Sequence, residues 1–253
     1  MFNLIQQKLK VLNMKKILYF LCMAFFVLSI SSCEKDNYEG PNAAIQGQIL
    51  DPSGLPLQFD QGQGSMKIKM EELTWITEQG GQAITPTYLA VKQDGSYVNS
   101  KIFAGKYVMT PIEGAFYPYN IAGDTVDISG SITKSFTVTP YQNVEWVTEP
   151  FINEEGYIQA TIKYTSNIVD GLTAPAPFKY RLFISPTQYA GAATFDALLT
   201  NDEVNVTANP ITILSKAKVV YPNRTYYVRG GVNSNDAFKK YNYTNIKTVV
   251  LQQ

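Results

Sequence analysis

Residues 157–165 read YIQATIKYT. Ile158, Ala160, Ile162 and Tyr164 fall on one face of this stretch, and polar residues alternate with them on the other. A period of two is the signature of a β-strand with one buried face. The same alternation recurs along the chain. MKIKMEE puts Met66, Ile68 and Met70 opposite Lys67, Lys69 and Glu71. KSFTVT pairs Phe136 with Val138, FKYRLFIS aligns Phe178, Tyr180, Leu182 and Ile184, and TYYVRGGV aligns Tyr226, Val228 and Val232. IKTVVLQ is a last strand near the end of the chain. Turn formers separate these runs: Asp51-Pro52-Ser53-Gly54, Asp94-Gly95, Asn153-Glu154-Glu155-Gly156 and Pro222-Asn223. One stretch alone has a helical look, TFDALLTNDE at Thr194–Glu203. Many short strands between regular turns predict an all-β protein built of sandwiches.

With 253 residues the chain can hold two modest domains or one large all-β domain. Pro140 interrupts the strand pattern, so the boundary is placed there, giving domains at 43–142 and 143–253.

The N-terminal part has a different character. MKKILYFLCMAFFVLSISSC begins at Met14, an alternative start to Met1. Lys15 and Lys16 precede an apolar run from Ile17 to Leu28, and small residues follow. A membrane-spanning helix needs about 20 apolar residues, so this run predicts a secretory signal peptide over residues 1–32. Cys22 leaves with it, and Cys33 is then the single cysteine of the mature chain and has no disulfide partner. With no histidine in the sequence, a thiolate nucleophile lacks its usual base, and metal chemistry lacks its commonest ligand. ISSC after an apolar run resembles a bacterial lipobox, which implies that Cys33 carries acyl chains and that residues 33–42 form a lipidated tether. Several acyl chains on one residue hold a protein stably on a bilayer. Glu34-Lys35-Asp36 looks like the charged export tag of surface lipoproteins of gut-type Gram-negative glycan users. It departs from the usual order of a Lys followed by acids. The expected location is the outer membrane, at the cell surface ahead of the periplasmic face.

The whole chain balances 21 basic against 21 acidic residues. Removing residues 1–32, with Lys8, Lys10, Lys15 and Lys16 and no acid, leaves 17 against 21, a net charge of −4. A mildly acidic body has no electrostatic pull toward nucleic acid.

Two stretches resemble known families. IQGQILDPSGLPL (Ile45–Leu57) with VKQDGSYVNSKIFAGKYVMTP (Val91–Pro111) is similar to the carboxypeptidase-regulatory-like, transthyretin-type sandwich. Gly47 is the position where such a strand allows close backbone approach. YPNRTYYVR resembles fibronectin type III, an immunoglobulin-like sandwich, with Pro222, Tyr226 and Val228 at that family's spacing. This makes Tyr226 the candidate for a tyrosine that hydrogen-bonds the adjoining corner. The order of the two domains behind a lipobox, with TPYQNVEW (Thr139–Trp146) at the junction, looks like a numbered family of bacterial lipoproteins of unknown function found with starch-utilisation-type glycan uptake systems. That resemblance implies a setting and no activity. The partners it implies are an outer-membrane transporter or glycan-binding proteins, and a polysaccharide.

The pairs Glu71-Glu72, Glu154-Glu155 and Asp202-Glu203 do not make a glycosidase centre, because neighbouring strand residues point to opposite faces. NSND (Asn233–Asp236) and GDTVD (Gly123–Asp127) are ordinary loop sequences rather than calcium sites. No catalytic residue, cofactor or metal is expected, and no enzymatic activity. What remains is aromatic. Trp75, Tyr88, Tyr117 and Tyr119 are the candidate ligand-binding residues, since aromatic faces stack on sugar rings. GAFYPYN (Gly114–Asn120), Tyr141 and Trp146 are open to three readings: packing between the sandwiches, contact with a partner, and contact with sugar. Trp146 is expected between the sandwiches. The sequence supports a non-enzymatic, lipid-anchored accessory or glycan-binding protein. Its rival is a structural spacer or protein–protein adaptor with no ligand of its own.

Overall fold

A computed structural model describes residues 40–61, 65–74, 85–120 and 122–252. The signal peptide and most of the tether lie outside the described residues. Pro41–Gln253 form one compact unit.

The fold is all-β. Strand β1 (Ala43–Leu50) pairs antiparallel with β4 (Ser96–Ile102) and parallel with β7 (Ser131–Thr133) and β8 (Phe136–Thr137). A second sheet runs in the order β3 (Thr87–Ala90), β2 (Lys67–Glu72), β5 (Gly105–Ile112), β6 (Asp124–Ile128). The alternating apolar faces of these sheets meet. Ile45, Ile49, Ile68, Met109 and Ile128 are fully buried between them, and Met70 and Phe136 nearly so. Burying one such side chain contributes roughly 1.5–3 kcal/mol. Gly47 is required where β1 crosses its neighbours: a Cβ there would lie 1.7 Å from the Lys134 carbonyl oxygen. The Tyr97 hydroxyl donates to that same carbonyl.

Gln142 begins the second pair of sheets. One runs β13 (Ile211–Leu214), β10 (Ile158–Ser166), β9 (Gln142–Ile152). The other runs β12 (Val204–Asn205), β11 (Pro177–Ser185), β14 (Thr225–Ser234), β15 (Tyr241–Tyr243), with β16 (Lys247–Val250) also on β14. Ile158, Ala160, Ile162, Leu182, Ile184, Val228 and Val232 form this core. Tyr226 is buried in it, and desolvation raises its phenol pKa against a backbone hydrogen bond from Tyr221. The expected turns form: Asp51 Oδ1 accepts from the Ser53 and Leu55 amides, and Gly54, Gly95, Gly156 and Asn223 take positive φ.

Three expectations are corrected. Thr194–Glu203 is no helix. Asp196 closes a single turn, its carbonyl accepting from the Thr200 amide at 2.9 Å. Thr200 and Asn201 then lend side-chain oxygens to the Ile184 and Leu182 amides of β11, which hold the segment as a strap against that strand. Trp146 does not bridge the sandwiches. It lies opposite Ile162 in the register of β9 and β10, packs on the second core, and donates from Nε1 to the Asn245 carbonyl at 3.0 Å. Asn233 and Asp124 are strand residues rather than loop residues. Asn233 Oδ1 accepts from the Lys179 amide, and Asp124 pairs with Lys134.

Candidate functional site

Where the two cores meet, the chain builds a dense polar junction. Tyr117 is buried, stacks edge-on against Tyr141 at 5.3 Å, and donates its hydroxyl to the Asn167 carbonyl at 2.7 Å. Asn242 donates to the Ala115 carbonyl at 2.8 Å and accepts from the Gln142 amide at 3.0 Å. A further tie is Arg229 on β14, which has no solvent exposure. Its Nε donates to the Thr244 carbonyl at 3.0 Å, Nη1 to Phe59 at 2.6 Å and Ala190 at 3.3 Å, and Nη2 to Gln58 Oε1 at 3.1 Å. One guanidinium therefore joins the segment after β1 to the second sandwich. Burial lowers its pKa to about 10, so it stays charged at neutral pH.

Beside this tie lies a cleft of about 150 Å³. Phe59, Asp60, Ser65, Met66, Gly114 and Ala115 line it from the first sandwich. Ala192, Phe238, Lys239, Lys240, Tyr241 and Tyr243 line it from the second. Its base is apolar and buried: Phe59, Met66, Ala115, Tyr241 and Tyr243 are each less than a tenth exposed. Phe238 stands at the rim, 52% exposed.

Asp60 accepts from the Ala193 amide at 2.9 Å and the Gln61 amide at 3.0 Å. Burial raises its carboxyl pKa; those two amides and the charges of Arg229 and Lys240 oppose the rise. Gly191 is needed here, because a Cβ at that position would lie 2.4 Å from Asp60 Oδ1. The Ser65 hydroxyl is buried and finds no hydrogen-bond partner among the described residues. The Tyr241 hydroxyl donates to Glu203 at 2.6 Å, which holds the Glu203 carboxyl below its ordinary pKa; burial first, and then this bond, raise the Tyr241 phenol above its own. Burial likewise raises the Tyr243 phenol, whose oxygen accepts from the Ala192 amide. The arrangement offers a small preformed hollow with an acceptor, a free hydroxyl and aromatic walls.

The residues singled out from sequence are dispersed. Cys33 and Trp75 lie outside the described residues. Tyr88 is exposed on the edge strand β3, with Lys67 Nζ 5.7 Å from its ring centre. Tyr117 packs in the junction. Tyr119 packs on Phe136 of the first core, its phenol pushed up to about 12 by burial and by its hydrogen bond to Asp124. None of these lines the cleft. Of the residues that do, Gly114 and Ala115 belong to the GAFYPYN stretch and Met66 to the MKIKMEE face, whereas Asp60, Ser65 and Phe238 sit in short stretches whose sequence carries no pattern.

Fold and cleft together define an all-β protein of paired sandwiches with a hollow at their junction. Residues 43–139 match the family described as "Protein of unknown function (DUF3823) N-terminal domain". No curated protein matches the chain. Among solved structures, a DUF3823 family protein of Bacteroides uniformis is similar at 24% identity with a TM-score of 0.68, covering 83% of this chain and 100% of its own. A candidate carbohydrate-binding protein of the same organism gives 23% and 0.65, covering 84% and 100%. A DUF3823 family protein of Parabacteroides merdae gives 18% and 0.65, covering 83% and 100%. At these identities the likeness establishes the fold.

Proposed function

We propose that this protein is a non-enzymatic accessory component of an outer-membrane glycan uptake system, anchored through acyl chains on Cys33, and that it binds glycan at the inter-sandwich cleft. The observation that carries the reading is the cleft itself. It combines aromatic walls, which stack on sugar rings, with Asp60 and Ser65, which can meet hydroxyl groups. The similar structure named as a candidate carbohydrate-binding protein points the same way. Glycoside hydrolysis needs two facing carboxyl groups, and the described lining supplies one, Asp60.

Calorimetry and glycan arrays with the mature chain test this. Binding should weaken several-fold in Phe238→Ala and survive Tyr88→Ala. Loss in Tyr88→Ala alone would move the site to the edge of β3. Silence across broad panels, with co-purification of a transporter, would favour the spacer or adaptor reading, which the rigid tie at Arg229 also suits. For the anchor, Cys33→Ala should release the protein from membranes, and full retention of that variant would refute lipidation at Cys33.

A further inference from the structure

We infer that the cleft takes a single hydroxyl-bearing sugar ring at the end of a glycan chain, with Asp60 and Ser65 as its hydrogen-bonding residues. The inference rests on the glycan-binding reading and adds what part of a glycan is recognised and by which atoms.

Size comes first. Clefts that enclose a drug-sized ligand run to roughly 300–1,000 Å³. A hollow of about 150 Å³ has room for one ring and not for a row of them. Its base is closed by residues of both sandwiches: Phe59 and Met66 from the core of the first, and Tyr243 from the aromatic cluster behind β14 of the second. A ring inside a polymer has chain leaving it on two sides. A terminal ring has one exit, which the rim at Phe238 provides.

The polar atoms come second. Ser65 is 4% exposed, and its Oγ has neither donor nor acceptor among the described residues. A buried hydroxyl left unpaired is the exception that asks for a partner. Asp60 is oriented but not saturated. A carboxylate has about four lone-pair positions, and the amides of Gln61 and Ala193 leave capacity on Oδ2. An acceptor beside a hydroxyl that can both give and receive matches neighbouring hydroxyl groups on a sugar ring. The tie at Arg229 keeps these atoms, which come from one sandwich, at a fixed distance from the aromatic wall of the other, so little ordering cost remains on binding.

The test uses the lipidated mature chain in detergent, with amylopectin, xylan, mannan and polygalacturonan as probes, each whole and after partial hydrolysis. At equal sugar mass, binding of the recognised polymer should rise in proportion to the number of chain ends, and the methyl glycoside of its terminal sugar should compete. Asp60→Asn should weaken binding about tenfold or more. Ser65→Ala is the decisive variant. Because that hydroxyl has no hydrogen-bond partner among the described residues, its loss should leave the melting temperature unchanged or higher while affinity falls several-fold. Binding that follows total mass irrespective of chain ends, or a Ser65→Ala protein that binds as tightly as wild type, overturns the inference and leaves glycan binding intact. Failure of every polymer and fragment to bind overturns both.

Discussion

The guanidinium of Arg229 lies over the ring of Tyr243, 4.2 Å from its centre. Its hydrogen-bond acceptors include the carbonyl oxygens of Phe59, Ala190 and Thr244, and the nearby Asp60 carboxylate acts on it through charge. A buried cation is tolerated only when its donors are satisfied, and the planar fork of arginine satisfies several acceptors at fixed angles while its face rests on an aromatic ring. The residue thus turns two adjacent sandwiches into one body.

Removing that cation leaves several buried carbonyls without donors. Arg229→Met should cost about 3 kcal/mol or more, since each buried acceptor left unsatisfied costs roughly 1–3 kcal/mol, read as a lower denaturation midpoint. Arg229→Lys should recover little, because an ammonium group cannot reach the same set of acceptors. A loss below about 1 kcal/mol, the scale of one ordinary hydrogen bond, would show that the junction holds without it.

Gly47 and Gly54 separate two reasons for glycine. At Gly47 a Cβ would collide with the Lys134 carbonyl at 1.7 Å, so β1 must part from its neighbours, and Gly47→Ala should cost more than about 4 kcal/mol or prevent folding. At Gly54 nothing lies within 4 Å of the added atom, and only the positive φ of 85° is strained. Gly54→Ala should cost about 1–2 kcal/mol. Thermal unfolding of the two variants side by side checks the difference.

The strands were legible because alternation is a local rule, and Gly47 because the resemblance to the regulatory-like sandwich marks it, although the atom that demands it, the Lys134 carbonyl oxygen, is distant in sequence. Met66, Ile68 and Met70 alternate in sequence and are buried together. Arg229 was not legible. On a strand whose Tyr226, Val228 and Val232 face the core, it belongs to the opposite face, which a two-layer sandwich leaves to water. That face is covered by Gln58 and Phe59, some 170 residues earlier in the chain, and no local pattern reports so distant a contact. One signal was present. Leu182-Phe183-Ile184 is apolar on both faces, as in strands covered on both sides, and Phe183 is the register partner of Arg229. Thr194–Glu203 differs for a related reason: its helical spacing is outweighed by hydrogen bonds that the Thr200 and Asn201 side-chain oxygens accept from amides of the neighbouring strand. The cleft is a product of the junction and was invisible for the same reason.

Gly191→Ala probes how Asp60 is seated. The new methyl group would press on Asp60 Oδ1 and push the carboxylate off the Ala193 amide. The fold should lose little, since the displaced atom is the end of a side chain near the surface. Affinity for glycan should fall as it does in Asp60→Asn. A Gly191→Ala protein with full affinity would show that the seating of Asp60 is immaterial.

Glu203 supplies a prediction in pH. Its carboxyl pKa is lowered below 4.5 in the folded chain, first by the hydroxyl of Tyr241 and then by Lys179. A depressed carboxyl pKa stabilises the fold above the unfolded value and stops doing so as pH falls through the folded value. The Tyr241 phenol is pushed well above 10, so it remains a donor throughout the accessible range. Tyr241→Phe keeps the ring and removes only the 2.6 Å bond. At pH 7 it should therefore lower stability by roughly 1 kcal/mol. The difference from wild type should shrink as pH drops below 4.5 and vanish once Glu203 is protonated in both folded and unfolded chains. Urea unfolding of the two proteins at pH steps between about 7 and 3 measures this directly. A gap that stays constant with pH would mean that the hydroxyl acts through packing rather than through the charge of Glu203.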